Sequence, residues 1–295
     1  MNSRDNNLNF YDLSDLSLVR VSGEDSTAFL QGQLSNDIEL VEDAHPHQLS
    51  AYCTPKGRVL ALFHILKQET SYLLVAPGEI MDKVLPRLRM YVMRSKVEFT
   101  PEESLRLYGV QGEAEASRVS LRDQLSEADI YPHCLDAQRA FIVAPRAPAS
   151  VLQGHAGWNR LDISQNLPQV FLPLYEVLIP QSLNLDLISA VNFKKGCYPG
   201  QEIIARVKYR GKPKTRMITA SCTHCEGLKP GNEIYIEDRE RAAGHIVNIE
   251  ASDEQQTLCV AVPVTHIPVS YTHLTLPTTL NSGGGRGGGG GCGGG

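Results

Sequence analysis

The residues best able to do chemistry lie in one stretch, Asn192-Phe-Lys194-Lys195-Gly196-Cys197-Tyr198-Pro199-Gly200-Gln201-Glu202-Ile-Ile-Ala205-Arg206. Gly196, Pro199 and Gly200 predict a tight turn, because glycine adopts backbone angles that other residues avoid. Good helix formers follow from Gln201, with Ile203, Ile204 and Val207 on one face. Cys197 therefore stands just ahead of a helix N-terminus, where unpaired N–H groups carry partial positive charge. Lys194, Lys195 and Arg206 add cations. Such surroundings favour a thiolate, and so a nucleophile or a metal-ligating sulfur. The competing role is packing, since free cysteine is among the most buried residue types. Glu202 reads equally well as a solvated acid in the first helical turn, and Arg206 and Lys208 as surface charges.

The elements that must position this stretch are short strands and a few helices. Leu18 to Val21 alternates as a strand, and Ser22-Gly-Glu-Asp25 predicts a helix start with an acid three residues after the cap. Ser50 to Thr54 and Arg58 to Lys67 predict two strands joined by a Pro55-Lys56-Gly57 turn, and Ser71 to Ala76 a third. Glu79 to Tyr91 predicts an amphipathic helix with Ile80, Val84, Leu88 and Tyr91 on its apolar face. Strands follow at Lys96 to Phe99, Leu105 to Val110 and Ala140 to Ala144, and Trp158 to Ile163 begins another element. Strand-then-helix order with tight turns indicates an α+β body with antiparallel sheet. From Thr215 short strands recur at even spacing (Met217 to Cys222, Glu233 to Glu237, Ala243 to Glu250, Thr257 to Val262), which predicts an all-β, barrel-like module. The expected divisions are 8–103, 104–212 and 213–268, with 269–295 apart.

The chain has 295 residues, 42% hydrophobic and 21% charged, enough for a sizeable core in two or three domains. A formal net charge of −5 offers no global positive field for a nucleic acid, so no direct nucleic-acid binding is expected. No run of eighteen apolar residues suggests a membrane span, and the polar N-terminus lacks a secretory h-region. A cytoplasmic location is expected. Seven scattered cysteines argue against a disulfide framework. After Pro268 the composition breaks into VSYTHLTLPTTLNS and a glycine run. The first peptide resembles a translated sequencing adaptor, and the glycine run cannot offset its ordering entropy. Residues from about Val269, with Cys292, are therefore expected to be non-native or disordered, leaving the last β module incomplete with an open edge.

Weaker signals stand elsewhere. Cys222-Thr-His-Cys225 offers only two thiol ligands, where a closed zinc site needs four. His224 or His245 could add to it, but no second pair has matching spacing. His45-Pro-His47 reads as a solvated polar loop. Cys53, Cys134 and Cys259 read as structural. No metal site is expected.

The stretch KGCYPGQE, followed by Ala205-Arg206 and Arg210-Gly211, resembles the signature of the YgfZ family. Supporting pieces stand in the family's order: Leu30 to Gln33 with Asn36-Asp37, Tyr52 to Arg58, Tyr91 to Val97, and Ile179 to Gln181 with Asn184-Leu185. The resemblance spans about residues 8 to 265. It implies the fold of the glycine-cleavage T-protein, three domains in a ring around a central channel that binds tetrahydrofolate. It implies an accessory role in assembly or repair of iron–sulfur enzymes, including those that thiolate tRNA. The family's motif cysteine matches Cys197 as the reactive thiol, with Lys195, Gly196, Tyr198, Gly200, Gln201, Glu202 and Arg206 in support. A folate-site aromatic matches Trp158, the chain's one tryptophan, whose competing role is core anchor. A second family tryptophan is Leu16 here, which removes half of the aromatic clamp. The folate glutamate tail would suit Lys56, Arg58, Lys195 or Arg206.

Two other activities compete with the accessory role. An aminomethyltransferase of the glycine-cleavage type would use the same folate site, but no counterpart of that family's catalytic aspartate stands out. A cysteine hydrolase would need a base beside Cys197.

Overall fold

The computed structural model describes residues 8–112, 127–148, 152–222, 227–235, 242, 244–251, 256–266 and 273–275. Three five-stranded sheets carry the fold. In the first, His47–Cys53, Val59–Gln68, Ser71–Pro77, Leu16–Ser22 and Glu98–Pro101 lie side by side in that order, all antiparallel. The Ser71–Pro77 strand is buried at every position. Its unbroken apolar run reflects a sheet covered on both faces. On one face Tyr72, Leu74 and Ala76 meet the helices, and on the other Leu73 and Val75 meet the second sheet.

The second sheet runs Leu152–Gln153, Asn9–Asp12, Arg106–Gln111, Arg139–Ala144 and Asp129–Pro132. Grouping in space thus departs from grouping along the chain. The N-terminal strand joins the sheet built from residues 106 to 153, while Ile163 to Ile204 contribute to the core under the first sheet. The third sheet runs Glu233–Ile234, Gly244–Ala251, Gln256–Pro263, Thr215–Cys222 and His273–Thr275. The last strand pairs parallel with Thr215–Cys222, so part of the segment set aside as non-native covers the edge expected to be open. Residues 276–295, including Cys292, lie outside the described residues, as do Thr223 to Cys225 of the CxxC. Cys222 itself is buried and disulfide-bonded.

The Glu79 helix is observed as Gly78–Met90, with Ile80, Met81, Val84, Leu85 and Leu88 buried. Tyr91 falls just past its end and is exposed, because the helix stops before the face can continue. The first helix is Ser26–Gln33 with Asp25 as N-cap, but Asp25 makes no capping bond. Its carboxylate instead accepts the Lys96 N–H at 2.7 Å, tying the helix start to the far strand. His47 is not in a solvated loop. It opens the first strand of its sheet and is buried, because its ring packs against His64, His133 and Phe141.

Trp158 lies in a helix, His155–Ser164, and is 1% exposed. A Cβ on Gly109 would come within 2.4 Å of its ring, so the indole rests on bare strand backbone. The guanidinium of Arg139 lies 4.9 Å from the ring centroid. Arg139 pairs with Asp136 at 2.9 Å and Asp162 at 2.6 Å. Burial pushes the Asp162 carboxyl up to about 6, with Arg139 opposing. Leu16 packs into the same cluster.

Candidate functional site

Lys195 decides how the Cys197 segment is held. Its ammonium donates to the carbonyls of Gln31 at 2.6 Å, Leu34 at 2.7 Å and Asn36 at 2.9 Å. These lie at and just beyond the C-terminal end of helix Ser26–Gln33, where carbonyls lack helical partners and a cation is favoured. Burial pulls the ammonium down to about 8, while Asp37 and Glu39 oppose. All three ammonium protons are thereby engaged. Lys195 is not an anchor for an anionic ligand tail, nor a cation facing the Cys197 sulfur. Its stem passes over Tyr198, with Nζ 5.3 Å from the ring centroid, and burial pushes the Tyr198 phenol up.

The neighbours complete the clamp. Asn192 Oδ1 accepts from the N–H groups of Lys194 at 2.8 Å and Lys195 at 3.2 Å, and its own N–H donates to the Ser35 carbonyl at 2.9 Å. Asn36 donates to the carbonyls of Leu49 at 2.9 Å and Ser189 at 2.6 Å. Gln181 donates to the Ile204 carbonyl at 2.7 Å, steadying the helix Gln201–Arg210. Gly200 has φ +85°, and a Cβ there would lie 2.5 Å from the Thr54 carbonyl oxygen and 2.8 Å from Gly57 Cα. The Pro55-Lys56-Gly57 turn therefore docks directly on the start of that helix. Gly196 is different: its surroundings are open and its φ is not positive. Gly200→Ala should thus cost about 3 kcal/mol, combining left-handed strain with backbone collision. Gly196→Ala should cost less than about 1 kcal/mol. Urea unfolding of both variants checks the contrast.

The structure so brings three of the four supporting pieces around residues 192 to 211. The Tyr91 to Val97 piece instead braces the opposite end of helix Ser26–Gln33, through Lys96. Cys197 is exposed, four residues ahead of the helix. Among the described residues no side chain hydrogen-bonds its sulfur, so no cysteine–histidine pair is assembled there. Arg206 pairs with Glu202 one turn away at 2.7 Å. Of the three cations expected around the thiol, Lys195 and Arg206 are engaged elsewhere, which leaves Lys194 exposed on its own. Gln201 approaches the Lys195 carbonyl at 3.5 Å.

Chain leading into Cys197 also forms one wall of a cleft. The cavity is about 860 Å³, between Asp186 to Lys194, the first residues of strand His47–Cys53, and the Pro132 to Leu135 turn. Phe193 and Tyr209 stand edge to face on this wall, ring centroids 6.0 Å apart. Gln48 lines the opposite side, and its Oε1 is buried without a hydrogen-bond partner. A cavity of this size with an apolar wall and few placed polar atoms suits a medium-sized aromatic ligand. The orphaned Gln48 oxygen fits a pterin, which presents ring N–H and amino donors, and Lys194 at the rim fits an anionic tail. Trp158 and Leu16 do not line this cleft. Both ring faces of Trp158 are covered, so it is a core anchor and offers no stacking face. Lys56, Arg58 and Arg206 are likewise not among its lining residues. Sequence reasoning missed Gln48 and Ser189, which carry no motif.

No family model matches the chain. A tRNA-modifying protein YgfZ of Enterobacter sp. (strain 638) is 31% identical over 229 residues, covering 70% of this chain and 70% of its own. The chain belongs to the YgfZ family. Its YgfZ relatives in Klebsiella pneumoniae (strain 342) and Hamiltonella defensa are each 29% identical, covering 85% and 80% of this chain and 83% and 77% of theirs. A crystal structure of glycine cleavage system aminomethyltransferase T from Bartonella henselae aligns with TM-score 0.64 at 16% identity, covering 88% of this chain and 79% of its own. The mixed fold of few helices and several antiparallel sheets is thus the T-protein fold in a YgfZ-family chain. Among the described residues no helix is long and apolar enough to cross a membrane.

Proposed function

We propose that this chain is a tetrahydrofolate-binding accessory factor in tRNA modification, with Cys197 as its reactive thiol and iron–sulfur enzymes, among them tRNA-thiolating ones, as its clients. The observation that carries this reading is the cleft whose wall runs on, within three residues, from Lys194 to the exposed Cys197. The YgfZ relatives carry the name tRNA-modifying protein, and the T-protein fold suits a folate. In this reading the cleft opens into the central channel of a three-domain ring, and the factor works in the cytoplasm.

Tetrahydrofolate, when bound, supplies nitrogen atoms that accept or give a one-carbon unit. Phe193 and Tyr209 would cover the ring system, Gln48 Oε1 would accept from it, and Lys194 would hold the glutamate carboxylates. Tyr198, Gly200 and Gln201 shape the turn that presents the thiol, while Lys195 fixes that turn to the end of helix Ser26–Gln33.

Calorimetric titration with tetrahydrofolate tests the reading. One saturable site per chain is expected, weakened about 10-fold by Gln48→Leu, the loss of one hydrogen bond to a buried acceptor. Absence of saturable heat in the unaltered chain rejects the folate assignment. Adding an aminomethyl donor and its lipoyl carrier should give no turnover; steady transfer to tetrahydrofolate would make the chain an aminomethyltransferase instead.

A further inference from the structure

We propose that His47, His64 and His133, joined by the Cys134 thiol, form a binding site for a single zinc-class divalent ion at the floor of the cleft. The three imidazoles arrive from separate elements: the start of strand His47–Cys53, the middle of strand Val59–Gln68, and the turn after Asp129–Pro132. One ring nitrogen of each lies within 4.8 Å of the others. His47 Nε2 is 3.0 Å from His64 Nδ1, and the Cys134 sulfur is 3.9 Å from His47 Nε2. A tetrahedral zinc with nitrogen and sulfur ligands needs donor separations of roughly 3.3 to 3.6 Å. The His47–His64 and His47–Cys134 separations are each within about 0.5 Å of those values, and ring rotations that draw the third imidazole in would close the shell.

A second observation points the same way. His133 Nε2 is buried and has no hydrogen-bond partner. A buried polar atom left so costs on the order of 1 to 3 kcal/mol, which a ligated ion removes. The surroundings suit ligation too. Phe141 holds all three rings at centroid distances of 5.3, 5.0 and 5.5 Å, which fixes their orientation. The nearby Arg139 is paired with Asp136 at 2.9 Å and with Asp162 at 2.6 Å.

The proton balance is simple. Ligation through His47 Nε2 moves that ring's proton to Nδ1, and the present contact there from the Cys134 N–H is given up. The Cys134 thiol loses its proton to solvent as the metal–sulfur bond forms, so one proton leaves per ion bound. Cys134, His47 and His133 line the cleft, which gives the ion an entry path. The site stands whether or not the cleft binds a folate.

Cobalt(II), a spectroscopic stand-in for zinc, tests it on the untagged full chain after dialysis against a chelator. One cobalt per chain is expected, with intense tetrahedral ligand-field bands and a thiolate charge-transfer band, both abolished by one equivalent of zinc. Cys134→Ser should lose the charge-transfer band and keep the ligand-field bands. His133→Gln should weaken zinc at least 10-fold in a competition assay, a loss of one direct ligand. Cys197→Ser should change neither spectrum nor stoichiometry. A spectrum like that of free aqueous cobalt overturns the proposal. So does a charge-transfer band that survives Cys134→Ser or vanishes with Cys197→Ser. The Cys134 substitution is at an exposed position and reads out even if a histidine variant does not fold.

Discussion

Replacing Lys195 with methionine should lower the unfolding free energy by about 4 kcal/mol. The estimate takes three buried carbonyls, those of Gln31, Leu34 and Asn36, each left without its donor at about 1 to 3 kcal/mol, and allows for partial access of water. Methionine keeps the length of the stem over Tyr198, so packing is largely retained and the difference reports the polar contacts. Lys195→Arg should also destabilise, because a flat guanidinium fork does not match three carbonyls converging on one point. The effect has a local signature. Amide hydrogen exchange should rise in Leu34 to Asp37 and in Asn192 to Cys197 together, since the ammonium joins these segments across about 160 residues of chain. A methionine variant that unfolds at the same urea concentration as the unaltered chain removes the capping role assigned to Lys195.

Cys197→Ala should abolish the accessory activity while changing stability by no more than about 0.5 kcal/mol, the range for exposed substitutions. The pairing of these outcomes is the point. A packing cysteine such as Cys53 or Cys259, 1% and 0% exposed, would lose stability and activity together. Complementation of a strain lacking its own factor, read as the level of thiolated tRNA, measures the first outcome and urea unfolding the second. Full complementation by Cys197→Ala rejects the thiol as the working group, whatever the cleft binds.

The motif around Cys197 was readable because its physics is local. Gly200 needs a left-handed angle, Gln201 onward favours a helix, and the turn between them leaves a sulfur at the surface. The strand pairs on either side of the Pro55-Lys56-Gly57 turn and the helix Gly78–Met90 were readable for the same reason, since turn chemistry and apolar period act over a few residues. Charge was the least readable property. Lys194 and Lys195 are adjacent and identical in type, yet one is exposed and the other is spent on a helix end far away in sequence. The histidines show the same limit. His64 sits in an apolar strand pattern beside the His47 strand, while His133 sits in a turn of the second sheet, and only the packing of the two sheets brings it to the other two. Trp158 looked like a ligand platform, but Gly109 and Arg139 enclose it.

By itself the sequence determined the local elements, the α+β character and the place of Cys197 ahead of a helix, because these follow from backbone preference and short-range periodicity. Only the tertiary structure decided which charges are free, which aromatic rings are open, and which histidines meet. Those properties depend on contacts between residues distant along the chain, where burial and the partner supplied by another element outweigh any intrinsic tendency of the side chain.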